Sequence, residues 1–429
     1  MDSHLHQNRA AGAPPVNAVN ERRGDVNLEN TELVPRMRIF GTTIFDEMSG
    51  LARKFSAVNL GQGFPDASPH SAILDAVENA LRTGKNQYAP GPGIPELQRA
   101  IADHQQRFYG QTYDPDTEIA VTFGATEALA SAILGLCEPG DDVVMIDPAY
   151  DAYPALAVLA GARMHRVALT PPEYPKDGGI VEDGWTLDMD RLAEAITERT
   201  RLLIINTPHN PTGTVFDRAT LEQIAALAIQ NDVIVVSDEV YEHLVFDGKT
   251  HDSIVNIPGM RERTLMISSA GKTFSCTGWK TGWACAPEPL ATAVKGIKQF
   301  LTYGGGTPLQ HGVALGLSLD TAVFQHEAND LQRRRDFVVE EIAALGIPVT
   351  RSAATYFVTA DFSAVGFDDA ETFCRWAPEA IGVAAVPVST FVQDKQPVKS
   401  LVRLAVCKAD TTLEEGMARL KRGFAKVSS

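Results

Sequence analysis

Ser268-Ser269-Ala270-Gly271-Lys272-Thr273-Phe274-Ser275-Cys276-Thr277-Gly278-Trp279-Lys280-Thr281-Gly282-Trp283 closes an apolar run at 265–268 and continues into small hydroxyl residues and glycine. The apolar run reads as a buried strand. Glycine lets a backbone approach a ligand closely, and the carboxyl edge of an open α/β sheet is where ligands bind. A lone lysine in a loop is ordinarily just solvated, so the meaning of Lys272 depends on its company.

Outward from this stretch, the chain from about 118 to 287 alternates. Short β-branched runs at 119–123, 142–146, 202–206, 233–237 and 265–268 are separated by helical patterns such as 126–137, 188–198 and 218–230. This alternation predicts a mainly parallel sheet covered on both faces, and near-continuous apolar strands fit that burial. After about 293 the texture changes. A long helical pattern at 322–345 is followed by a strand at 356–361, a helix at 370–376 and a strand at 402–406. Thr412 with Glu415 reads as a capping box that starts a last helix running through Phe424. The expected organisation is a tail at 1–35, a large domain at 61–299, and a smaller α+β domain built from 36–60 and 300–429.

Two further segments sit at strand ends. Asn206-Thr207-Pro208-His209-Asn210-Pro211-Thr212-Gly213 follows one run, and Ser237-Asp238-Glu239-Val240-Tyr241 another. Asn-Pro alone is often a turn, and an acid after a strand is often a helix cap. An acid at the end of an apolar strand must find a partner, or its burial is expensive. The same holds for Arg403, inside the apolar run Leu401-Val402-Arg403-Leu404-Ala405, which needs an anion.

Composition narrows the class. The 429 residues carry 38 Lys and Arg against 54 Asp and Glu, a net charge of −16. That balance argues against a sequence-independent nucleic-acid binder. No apolar stretch is long enough to span a membrane, and the N-terminal residues lack the apolar block of a secretory signal. The five cysteines, at 137, 276, 285, 374 and 407, form no CxxC motif. They read as reduced thiols of a cytoplasmic protein, with neither a disulfide frame nor a metal site.

Taken together, the motifs Asn-x-x-x-Asn-Pro-x-Gly, Asp-x-x-Tyr and Ser-x-x-Lys, in this order and each at a strand end, resemble the class I aminotransferases that depend on pyridoxal 5′-phosphate. The resemblance spans roughly residues 34–426 and implies the fold-type-I architecture, a large domain with a mainly parallel seven-stranded sheet plus a smaller α+β domain. It implies that Lys272 forms the Schiff base with the cofactor and later moves a proton, and that Asp238 faces the ring nitrogen. Tyr241 and Asn210 would hydrogen-bond the ring's phenolic oxygen, with Asn206 in support. Tyr150 would stack on the ring. Gly124, Ala125, Thr126, Ser269 and Lys280 would hold the phosphate. Lys280 stands where many relatives have arginine, a point charge in place of a bidentate fork.

For the substrate, the resemblance implies Arg403 as the α-carboxylate clamp, joined by a backbone N–H of Gly63, with Asn210 beside them and Phe45 on the rim. Tyr88 matches a tyrosine that reaches the neighbouring subunit's cofactor phosphate, so a homodimer with shared sites is expected. Leu60-Gly61-Gln62-Gly63-Phe64-Pro65-Asp66 and the Lys272 segment look like the kynurenine/glutamine/methionine branch and its N-succinyldiaminopimelate cousins. Tyr303-Gly304-Gly305-Gly306 is similar to the latter. The best substrate expectation is therefore N-succinyl-LL-2,6-diaminopimelate with 2-oxoglutarate as the partner oxo acid. Kynurenine, glutamine or methionine transamination and carbon–sulfur β-elimination are the alternatives. A cofactor-sensing regulator is disfavoured, since a tail of about 35 residues is too short for a helix-turn-helix module.

Overall fold

A computed structural model describes residues 35–41, 43–182 and 184–427. The expected N-terminal tail lies outside the described residues, apart from a 3-10 turn at Pro35–Met37. Residues from Phe40 onward form one compact unit.

That unit is built on a seven-stranded sheet. Its strands are β1 (Ile119–Phe123), β2 (Asp142–Asp147), β3 (Arg163–Ala168), β4 (Thr200–Asn206), β5 (Ile234–Asp238), β6 (Thr264–Ser269) and β7 (Thr281–Cys285). Their spatial order is β1-β7-β6-β5-β4-β2-β3. The pairs from β3 through β6 are parallel, and β7 runs antiparallel to both of its neighbours. β2, β5, β6 and β7 have no exposed residue, as helices on both faces require. β3 escaped the sequence reading because it is an edge strand, Arg-Met-His-Arg-Val-Ala, with one buried residue. β7 escaped because its short run, Thr-Gly-Trp-Ala-Cys, is broken by Gly282 and has little β-branched character.

A five-stranded sheet stands apart from the first. Phe357–Asp361 and Leu401–Ala405 pair antiparallel, from Phe357 with Ala405 to Asp361 with Leu401. Val386–Pro387 flanks the second of these strands. Val349–Arg351 flanks the first, and Ile180–Glu182 joins it in parallel from the middle of the chain. Val58–Asn59 pairs with Val383–Ala384, and the helix Ile44–Phe55 packs beside the helix Ala370–Ala380. A core rich in Val, Ile and Phe, including Phe357, Phe362, Phe373 and Phe424, lies around this sheet. Arg335, fully buried in the helix Thr321–Ala343, is held by the Asp247 and Asp336 carboxylates and by the Ser352 carbonyl.

The last helix differs from expectation. It spans Asp410–Val427, so it starts before Thr412 and the expected capping box is not formed. Thr412 donates instead to Asp66 (3.2 Å), and Glu415 accepts from Arg419 (2.7 Å) on the helix surface. A tertiary acceptor and an i,i+4 pair outcompete the local box.

β7 also shapes the site, because Gly282 pairs with Ser269 and Thr122 across its two neighbours. A Cβ at 282 would stand 2.6 Å from the Gly124 carbonyl carbon and 2.7 Å from the Ala125 nitrogen. Neither backbone atom can swing away. Gly282→Ala is expected to cost about 1–3 kcal/mol by overpacking and to displace the turn at Gly124. Denaturant unfolding and cofactor titration of the variant check this. Unchanged values in both would overturn the reading.

Candidate active site

The carboxyl ends of β4, β5 and β6 and the turn after β1 converge on one cavity. It is lined by Gly124, Ala125, Thr126, Tyr150, Tyr153, Asn206, Asn210, Asp238, Tyr241, Ser269, Lys272 and Lys280, among others. Parallel strands bring these ends together by construction, although the residues come from five separate segments.

Gly124 begins the helix Gly124–Leu136 directly after β1 and has φ +73°. The first amides of that helix have no partner within it, and its dipole favours negative charge, so this end is an anion site. Lys280 leans over it: a Cβ on Gly124 would be 3.3 Å from the Lys280 Nζ. Thr122 Oγ1 donates to the Gly124 carbonyl (2.9 Å), and Glu127 accepts from the Phe123 amide (2.5 Å), which fixes the turn.

Asp238 ends β5 and is almost fully buried. Burial pushes its carboxyl up to about 6, opposed by a hydrogen bond from the Tyr153 hydroxyl (2.6 Å) and by the Val240 amide. No cationic side chain of the described residues lies within ion-pair distance of it. The neighbouring acids face elsewhere. Glu239 is taken by Ser237, Ser253 and His251, and Glu242 by Ser268. Of the three, only Asp238 lines the cavity. Asn206 braces two walls, since its amide donates to the Asp238 carbonyl (2.8 Å) and its oxygen accepts from the Asn210 amide (2.8 Å).

Lys272 sits in the one-turn helix Ala270–Thr273 after β6. Its amine lies 5.6 Å from the Tyr241 ring centre and 5.5 Å from that of Tyr356. Burial lowers it from 10.5 to about 8. Burial likewise raises the Tyr241 hydroxyl.

Arg403 is 1% exposed, an unusual place for a guanidinium. It donates to the Asn210 side chain (3.1 Å) and the Gly61 carbonyl (2.7 Å), while its Nε has no partner among the described residues. The rings of Phe357, Phe391 and Phe45 lie 4.0, 5.1 and 5.3 Å from it. Burial lowers it to about 10. Gly63 lies beside Phe357, where a Cβ would come within 2.4 Å of the ring. Arg403 thus joins Asn210 of the cavity to Gly61, Gly63 and Phe45. Tyr88 is outside this group. It is 85% exposed and packs edge-on against Tyr303.

Tyr153 and Tyr356 were missed in the sequence. Tyr153 lies one helical turn beyond Tyr150, a spacing that could have raised it as a second cavity residue. Tyr356 left no local signal, since its contact to Lys272 spans 84 residues.

Comparison with known proteins gives this geometry its context. Residues 56–420 match the family described as Aminotransferase class I and II. A probable N-succinyldiaminopimelate aminotransferase of Mycobacterium tuberculosis is 48% identical over 90% of this chain and 97% of its own. The methionine aminotransferase of Escherichia coli is 37% identical over 92% of this chain and 100% of its own. The solved structure of the N-succinyldiaminopimelate aminotransferase of M. tuberculosis superposes with a TM-score of 0.88 at 46% identity, covering 91% of this chain and 100% of that one.

Enzymes of this family use pyridoxal 5′-phosphate, and the cavity fits such a group. It offers an anion site at Gly124, a buried carboxylate that lacks a cation at Asp238, and a weakly basic primary amine at Lys272. By sequence, fold and this fit, the chain belongs to the pyridoxal-phosphate-dependent aminotransferases of class I and II, and it is a transaminase.

Proposed function

We propose that this transaminase exchanges an amino group between N-succinyl-LL-2,6-diaminopimelate and 2-oxoglutarate. The observation that carries the reaction is the pairing of a half-buried amine that lines the cavity, Lys272, with a buried guanidinium, Arg403, that no carboxylate of the described residues neutralises. The substrate assignment is supported by the 48% identity to the probable N-succinyldiaminopimelate enzyme against 37% to the methionine enzyme. It is supported also by Gly304-Gly305-Gly306, which would leave room for a long substrate if a partner subunit presents this segment to the site.

The roles follow from chemistry. Arg403 and the Gly63 amide hold the substrate α-carboxylate, with Asn210 and the three phenylalanines fixing the guanidinium plane. Phe45 meets the substrate side chain. Lys272 would hold the cofactor covalently and, once freed, would carry the proton from the substrate α-carbon to the cofactor, the net shift that amino transfer requires. Asp238 would hold a proton on the ring nitrogen, and Tyr241 and Asn210 would hydrogen-bond the phenolic oxygen. Tyr150 would cover the ring face, and Gly124, Ala125, Thr126, Ser269 and Lys280 would hold the phosphate. When bound, pyridoxal phosphate supplies the electron sink for charge left at the α-carbon.

We further propose a cytoplasmic homodimer. The five cysteines are buried and free, as suits a reducing compartment, and cell fractionation tests the location. Tyr88, Phe300, Leu301, Tyr303 and Phe123 are exposed apolar side chains, and a cluster of this kind marks an interaction surface. Sedimentation equilibrium should give twice 46.3 kDa. A 46.3 kDa species at micromolar concentration would contradict the dimer.

Two outcomes test the chemistry. N-succinyl-LL-2,6-diaminopimelate should discharge the visible absorbance of the cofactor-loaded enzyme faster than methionine, glutamine or kynurenine does; no discharge would remove it as substrate. In the cofactor-free chain, only the neutral Lys272 amine can capture pyridoxal phosphate. Because its pKa is lowered to about 8, the capture rate should rise with pH, reach half its maximum near pH 8 and level off above. A midpoint near the ordinary lysine value, or unchanged capture by Lys272→Ala, would refute the assignment.

A further inference from the structure

The turn that carries Lys272 has four residues, too short to hold itself rigid, so the partners of its carbonyls matter. The Ala270 carbonyl accepts from the Phe274 amide (2.9 Å) and the Cys276 thiol (3.3 Å), and the Gly271 carbonyl from the Cys276 amide (3.1 Å). These bonds are local. The Lys272 carbonyl accepts from the hydroxyl of Tyr356, at 2.6 Å, across 84 residues. The same tyrosine flanks the other end of the lysine, with its ring centre 5.5 Å from Nζ and edge-on to Tyr241 at 82°.

Tyr356 is itself held firmly. It is 2% exposed, and its carbonyl accepts from the Val406 amide (2.7 Å). Thr355 before it is buried at φ +76°, a costly conformation for a β-branched residue that persists only where the surroundings impose it. Those surroundings are a bridge between Val245 and Ala354, with the Thr355 amide donating to the Leu244 carbonyl and the Phe246 amide to the Ala353 carbonyl. Tyr356, just before the strand Phe357–Asp361, reaches Lys272, while Phe357 at the start of that strand covers Arg403 at 4.0 Å. One dipeptide touches both charged groups that flank the substrate.

We propose that Tyr356 is a positioning residue for the proton-moving lysine, fixing the Lys272 backbone through its hydroxyl. This rests on the reading of Lys272 given above. Its function is to keep the free amine from drifting once the covalent bond to the cofactor is released, when nothing else tethers the lysine's far end. The hydroxyl should therefore affect turnover more than substrate capture.

The test is Tyr356→Phe in the cofactor-loaded enzyme, which keeps the ring and removes one hydrogen bond. Per bound cofactor, kcat should fall about threefold to tenfold. KM for the amino donor should stay within about twofold, and the pH midpoint of the visible absorbance should move. Tyr356→Leu, which removes ring and hydroxyl, should lose at least as much. If Tyr356→Phe lowers only the melting temperature and leaves both kcat per bound cofactor and the pH midpoint unchanged, the residue is merely structural and the proposal fails. It fails equally if only the leucine variant loses kcat. Lys272→Ala separates the underlying reading: if that variant keeps the wild-type absorbance, Lys272 is not the attachment point, whatever Tyr356 does.

Discussion

Three ionisable groups, Asp238, Lys272 and Arg403, are largely shielded from water in one region, Lys272 less than the other two, and none has an opposite charge in contact among the described residues. A buried charge without a partner is among the costliest things a fold can contain. Each is instead shifted toward its neutral form, Asp238 upward and Lys272 and Arg403 downward, with burial as the largest cause. The neighbours supply hydrogen bonds and aromatic faces but withhold counter-charges. Tyr153 and the Val240 amide serve Asp238, while Asn210, the Gly61 carbonyl and three phenylalanines serve Arg403. A fold arranged in this way is stabilised by whatever supplies the missing charges, so ligand binding and stability are linked.

The architecture brings this about with little machinery. Parallel strands deliver their carboxyl ends to one edge, which places Asn206, Asp238 and Ser269 side by side. The antiparallel strand β7 brings Gly282 against Gly124, and the absence of a side chain there lets the turn at Gly124 close. The Leu401–Ala405 strand then brings its arginine to Asn210 from the other sheet.

Strands buried on both faces were legible in the sequence because burial forces continuous apolar runs, as at Ile234–Asp238. The edge strand Arg163–Ala168 was not, since half of its environment is solvent and its pattern carries no period. The residues at strand ends announced themselves by chemistry out of place: an acid after valines, an arginine among leucines. Tyr153 and Tyr356 did not, because a tyrosine in an apolar setting is unremarkable until its hydroxyl partner is seen. The capping box at Thr412 shows the converse. A correct local pattern lost to Asp66, a tertiary partner more than three hundred residues away, which no window of sequence contains.

Ile180–Glu182 pairs with Val349–Arg351, and Val58–Asn59 with Val383–Ala384. Both pairs are parallel, and each joins chain segments far apart. On a ribosome the earlier member emerges first and has nowhere to go. At about 5–20 residues per second, roughly 10–30 s separate the strand at 180 from its partner. The strand at 58 waits longer still. Non-local parallel pairing is slow even when both halves are present. In the seven-stranded sheet only the edge strand Ile119–Phe123 waits in this way, for Thr281–Cys285; its other strands can pair as they are made. For that interval the nascent protein carries open strand edges available to any other strand nearby.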